Sequence, residues 1–299
     1  MASRDVILTT LHCVRADYVA TFLASLKHTG FRGEVVVFVS GMENEEVARL
    51  RHQGVTTVPF RFRGSHVRQR LAKLWPLWRW LFKSPAPQRA KEYLAHAVFH
   101  LFYRRHLLYL QFLRKHRQDY DRVFLTDARD VYFQADPFSW NLPPGIHLFL
   151  EDASLKLGQE PSHATALRNQ FGQALLDEIS HETISCAGTV LGDTAGIMEY
   201  LSRMVALTMQ ARSLRDVCAD QTIHNYLLYQ KNRSPGLVAH VNGQGPVLTV
   251  GVMRPAAIRF DEQGLVVNDA GKIMPVLHQY DRHPEVEKVL LARLRRDLP

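Results

Sequence analysis

The hydrophobic pattern changes period several times along the chain, and each change marks an element. Val6 to Thr10 is a short β-branched run, the signature of a buried strand. Tyr18, Phe22, Leu23 and Leu26 then recur at helical spacing and stop at Gly30. Glu34 to Val39 reads as a second strand, Glu43 to His52 as a helix and Val55 to Phe60 as a third strand. This β-α-β-α-β order predicts an α/β fold with a mostly parallel central sheet flanked by helices. Further on, Ala90 to His116 reads as one long helix, its stripe formed by Leu94, Val98, Leu101, Leu108 and Phe112. Arg122 to Thr126, Ile146 to Leu150 and Thr183 to Leu191 read as strands, and Met198 to Met209 and Asp220 to Tyr229 as helices. Asn242-Gly243 and Asp269-Ala270-Gly271 mark turns. With no repeat, low-complexity tail or interior linker, the pattern predicts a single domain over residues 1–299.

Hydropathy narrows the class. The longest apolar stretch, Ala97 to Leu113, is broken by His100, Arg104, Arg105 and His106, well short of the ~18 apolar residues of a membrane span. The N-terminus has no charged region leading into an apolar run, so no signal peptide is expected. Cys13, Cys186 and Cys218 form no C-x-x-C pair, which argues against a disulfide framework or a structural zinc site and for a reducing, cytoplasmic setting. Hydrophobic residues at 46% make a folded, globular chain the default reading over a disordered one.

Charge is uneven. From Arg61 to Gln118 there are 14 Lys and Arg against one acid, Glu92, so the net +8 is a local feature with a local cause. Trp75, Trp78, Trp80 and Phe82 are interleaved with these bases. We read residues 61–118 as a basic, aromatic helical insertion. Its composition suits an anionic membrane surface, single-stranded nucleic acid or a polyanionic acceptor. It equally suits core aromatics beside solvated bases. Peripheral association with the inner membrane face is the favoured expectation, and nucleic acid the disfavoured one.

Candidate chemistry begins where the strand Val123-Phe124-Leu125 runs into Asp127 and Asp130. Ligands of open α/β sheets bind beyond the carboxyl ends of strands, and two acids there can hold a hard divalent cation, Mn²⁺ or Mg²⁺. Against this stands the ordinary use of Asp in a turn. No Walker A sequence, G-x-G-x-x-G or G-x-S-x-G elbow is present.

The run Phe124-Leu125-Thr126-Asp127-Ala128-Arg129-Asp130-Val131-Tyr132-Phe133-Gln134-Ala135-Asp136-Pro137-Phe138 resembles the D-x-D region of GT-A glycosyltransferases, with the acids spaced D-x-x-D here. Ile184 to Leu191 resembles their N-A-G strand, with Cys186 where Asn is usual. Ala219-Asp220-Gln221 resembles the D-Q helix start of retaining families, and Val276-Leu277-His278 the C-terminal strand whose His completes the metal site. The resemblance implies a GT-A-like, Rossmann-like fold and transfer of a sugar from a nucleotide-diphosphate donor to a glycan or lipid-linked acceptor. It implies Asp130, His278 and Asp127 as metal ligands. Asp220, Gln221 and Asp152 become catalytic candidates, with Glu151 a further carboxylate base. Thr9, Thr10, Tyr18, Arg105, Asp127, Arg129 and Gly188 become donor-binding candidates. Retention is favoured and inversion stays open. A nucleotidyltransferase, or a non-catalytic membrane- or RNA-binding protein on a decayed scaffold, are the alternatives.

Overall fold

The computed structural model describes residues 4–62, 73–212 and 219–297. It opens as the hydrophobic pattern requires: β1 (Asp5–His12), α1 (Ala20–His28), β2 (Glu34–Ser40), α2 (Asn44–His52) and β3 (Thr56–Pro59). Three helices follow, α3 (Trp75–Lys83), α4 (Gln88–Val98) and α5 (Leu101–Lys115), before β4 (Arg122–Thr126), β5 (Val131–Phe133) and β6 (Ile146–Leu150). Then come α6 (Pro161–Phe171), α7 (Gln173–Ile179), β7 (Ser185–Asp193), α8 (Thr194–Gln210), α9 (Ala219–Tyr229), β8 (Leu237–His240) and β9 (Val247–Thr249). The chain closes with β10 (Arg259–Phe260), β11 (Val266–Val267), β12 (Val276–His278) and α10 (Pro284–Asp297).

Seven strands form the central sheet in the order β3-β2-β1-β4-β7-β6-β8. β7 alone runs against its neighbours, and every other pairing in this sheet is parallel. The expected mostly parallel, helix-flanked α/β sheet is therefore present. Both faces are covered, so period-two alternation along β1 and β2 divides apolar residues between two cores. Val6, Leu8, Val36 and Phe38 pack with α5 and α8 through Leu107, Leu110, Leu201 and Met204. Ile7, Val37 and Val39 pack with α1 and α2 through Phe22, Leu26 and Leu50. A second sheet, β5-β12-β9, lies beyond the end of β4.

The single long helix expected over Ala90 to His116 is two helices. Phe99 and His100 are extended, with ψ of 135° and 161°. The break buries Phe99 completely, between Phe82 and Tyr103. Packing thus overrides a helical stripe that continues through the break in sequence. Glu92 is buried in α4, and Arg114 of α5 binds both its oxygens at 2.8 Å. Far from being a solvated basic arm, α5 is the central cover of the sheet. Residues 63–72 of the basic segment, and Cys218, lie outside the described residues. Among the described residues no helix is long and apolar enough to cross a membrane.

Candidate metal centre

Three strand ends meet at one point. Asp127 follows β4, opposite Gly188 of the neighbouring β7, and its N–H donates to the Gly188 carbonyl at 2.8 Å. The turn at Ala128-Arg129 then brings Asp130 to the same pocket and feeds β5. β12 pairs with β5 so that His278 stands opposite Val131, next to Asp130. One ligand atom from each of Asp127, Asp130 and His278 falls within 4.8 Å of the others. The two residues between Asp127 and Asp130 lie in the turn that carries the chain from one sheet to the next.

The environment fits a cation. His278 is wholly buried, and burial lowers its pKa although Asp130 and Asp127 oppose the shift. The ring is therefore neutral at neutral pH. Its Nδ1 lies 3.3 Å from Thr249 Oγ1; with the proton on that nitrogen, Nε2 is left a lone pair. Nε2 is buried and has no hydrogen-bond partner. An unpartnered buried nitrogen costs stability unless something binds it. Asp130 is also buried, and desolvation raises its pKa, with His278 opposing and Asp127 reinforcing the rise. Gly188 makes room for this convergence. A Cβ there would sit 2.6 Å from Asp127 Oδ2 and 2.7 Å from His278 Nε2. Two carboxylates and an imidazole on an open-sided site match the ligand preferences of divalent metals.

Beside the centre lies a cleft of about 370 Å³ at the carboxyl ends of β1 and β4. Thr9, Thr10, Tyr18, Arg105, Asp127 and Arg129 all line it. Thr10 Oγ1 donates to Tyr109 Oη at 2.8 Å, and Tyr109 is pushed up to about 12 by burial. Tyr18 is 46% exposed, so it is a wall of the cleft and not a core residue. Arg129 bonds Asp281 at 3.2 Å.

Arg105 joins the two halves of the site. Its guanidinium donates to Asp127 at 2.5 Å, to Asp220 at 3.0 Å and to the Ala187 carbonyl at 3.4 Å. Burial works against its charge, yet Asp127 and Asp220 hold its pKa above the ordinary value. Arg104, its neighbour, is buried with its guanidinium 5.5 Å above the Phe60 ring and 5.6 Å above Phe62.

Beyond the centre, the buried Glu151, Cys186 and Gln279 form a polar group with the half-buried Gln221. Gln221 donates to Glu151 at 3.3 Å, and Gln279 lies 3.6 Å from the Cys186 sulfur. Burial raises the pKa of Glu151, with Arg282 opposing. Asp152, expected as a catalytic acid, belongs elsewhere: its carboxylate accepts from the Ser154 N–H at 2.9 Å and starts an exposed turn. After β6 adjacent side chains point to opposite sides, and Glu151 takes the inward one. Gln279 had no signal in its own residue type. Its position after His278, at φ 60°, aims it back toward β7 while its N–H donates to the Asp130 carbonyl at 2.6 Å.

Neither a protein-family model nor a curated protein sequence matches this chain.

Proposed function

We propose that this protein is a metal-dependent glycosyltransferase that takes its sugar from a nucleotide-diphosphate donor. The observation that carries the reading is the convergence of Asp127, Asp130 and the unpartnered Nε2 of His278 beside the cleft. The resemblance of the surrounding motifs supplies the reaction class. Asp127, Asp130 and His278 would hold Mn²⁺ or Mg²⁺, which when bound supplies positive charge against a departing diphosphate.

The remaining work falls to the chain. Tyr18 offers an exposed ring against which a base can stack, and Thr9 and Thr10 line the cleft floor. Arg105 fixes Asp127 and Asp220 relative to one another, so the strand end and the start of α9 move as a unit. Asp220, committed to that ion pair, is a positioning group. Glu151 is the carboxylate we assign to take a proton from an acceptor hydroxyl in an inverting reaction: it is buried, its pKa is raised, and its side chain bonds only the neutral groups of Gln221 and Cys186 among those described. A retaining reaction would instead use Gln221 and the backbone near the anomeric carbon. The anomer of the product, read by NMR, separates the two.

The test is a thermal-shift and turnover screen of nucleotide sugars with Mn²⁺ or Mg²⁺, wild type beside Asp130→Ala. One nucleotide sugar should stabilise the wild type only with metal. Donor hydrolysis should fall at least about 100-fold in the variant, the scale of losing a group that stabilises developing charge. Release of pyrophosphate from a nucleoside triphosphate offered with a sugar phosphate, with no nucleoside diphosphate released from any nucleotide sugar, would make the protein a nucleotidyltransferase. Absence of metal-dependent donor binding would remove the catalytic reading.

A further inference from the structure

We propose that the outer face of α3 docks on an anionic lipid bilayer and brings the cleft to an acceptor carried at that surface. The docking stands on its own observations; only the acceptor rests on the transferase reading.

α3 is apolar on two opposite faces, which folding alone does not require of a surface helix. Its inner face is accounted for. The Trp75 indole donates to the Ala211 carbonyl at 2.9 Å and packs against Phe82, and Arg79 donates to the Gln210 carbonyl at 3.2 Å. Those contacts seat the helix on the end of α8. At 100° per residue the opposite side carries Leu74, Leu77 and Trp80, which are 50%, 52% and 67% exposed. Together they are a continuous apolar strip with no function in the packed core.

Charge decides what covers it. Lys73 and Lys83 are exposed at the two ends of the helix. From Lys73 to Gln118 the only acid is Glu92, which is buried and bound by Arg114. No carboxylate of this stretch therefore meets an approaching negative surface. An apolar strip with Trp at its edge, flanked by Lys, is the composition of a helix lying in the headgroup region of an anionic bilayer. A second copy of the chain is the poorer occupant, since twofold pairing of this face would bring its lysines toward their own copies. Phe102, 55% exposed at the start of α5, lines the cleft itself, so the apolar exposure reaches the site where an amphiphilic acceptor would enter.

The experiment is flotation of the full chain with phosphatidylcholine vesicles, with and without phosphatidylglycerol, for wild type and Leu77→Glu/Trp80→Glu. Wild type should float with the phosphatidylglycerol vesicles only, and less as salt rises. The variant should lose at least about tenfold in partitioning, having exchanged buried apolar area for charge. Its melting temperature and its metal-dependent donor hydrolysis should be unchanged, because neither residue touches the core or the site. Equal flotation of variant and wild type would overturn the proposal, as would no flotation of the wild type. So would a wild-type dimer that the variant turns into a monomer, which would make the face a self-association surface. If hydrolysis is absent in both proteins while flotation behaves as expected, the transferase reading fails and the docking face survives.

Discussion

The metal centre and the outer face of α3 depart from ordinary folding economy in opposite directions. At the centre, polar groups are buried with no partner: His278 Nε2 has none, and Asp130 is buried beside another acid. On α3, apolar groups are exposed with no cover. Neither kind of departure is confined to these regions, since His106 Nδ1 and His163 Nδ1 are also buried without a partner and Tyr93 is 79% exposed, but other costly groups are provided for. Glu92 is buried but bound twice by Arg114, and Trp75 is buried with its indole N–H satisfied. What sets the two regions apart is grouping: the unpartnered His278 nitrogen lies with two carboxylates, and the exposed apolar residues of α3 share one face. The sign of the departure motivates the two proposals, a cation at the cluster and a lipid surface at α3.

The comparison is broken most severely at Arg105, the residue that keeps the centre from being costlier still. Arg105→Ala leaves Asp127 and Asp220 without their shared cation. Asp220 is buried, so the loss should be about 3–5 kcal/mol of folding stability by urea denaturation. A change under about 1 kcal/mol would mean that water reaches these carboxylates and the centre is less dry than its geometry implies.

Gly188→Ala sharpens the claim that the centre is shaped for an ion. The added methyl would lie 2.6 Å from one ligand atom and 2.7 Å from another, so they must part. Affinity for Mn²⁺, titrated calorimetrically, should fall about 10- to 100-fold, as when a group that orients a ligand is lost. Far-UV circular dichroism should be retained. Unchanged affinity would show that the three side chains do not act together.

The smallest effect separates histidines that belong to the fold from the one that belongs to the site. His147 is buried and pairs with the half-buried His240, with their bonds made: His147 Nε2 donates to the Pro143 carbonyl at 2.8 Å, so its Nδ1 accepts from His240 Nε2 at 2.9 Å. Burial, and then His147, lowers His240 to about 4, against 6.5 for an unperturbed ring. Between those values the unfolded chain binds more protons than the folded one. Stability therefore rises with pH across that window, and is lost as pH falls toward 4. His240→Gln keeps a donor but cannot titrate, so melting temperature against pH should have a shallower acid limb. An unaltered limb would place the acid sensitivity elsewhere.

Much of this was legible in the chain. The strands Val6 to Thr10 and Glu34 to Val39 declared themselves because a strand buried on both faces must be apolar throughout. Asp130, His278 and Asp127 were singled out by their motifs, and the structure brings the three together. The helix break at Phe99-His100 was not, because both halves carry the same stripe and only the burial of Phe99 distinguishes two helices from one. Asp152 and Glu151 were indistinguishable in sequence, since which of two adjacent acids faces inward depends on how β6 pairs with β7. Arg105 was legible as a cation near the site, but its engagement by two carboxylates from distant segments was not.

The sequence by itself determined the elements, the sheet's class, and which residue types could do chemistry, because period and side-chain character are local properties. Tertiary structure alone decided that Asp127, Asp130, Gly188 and His278 share one pocket. That depends on β7 lying antiparallel beside β4 and on β12 pairing with β5, contacts between residues 63 to 147 positions apart. No local pattern encodes them, because strand pairing is settled by burying the whole sheet at once.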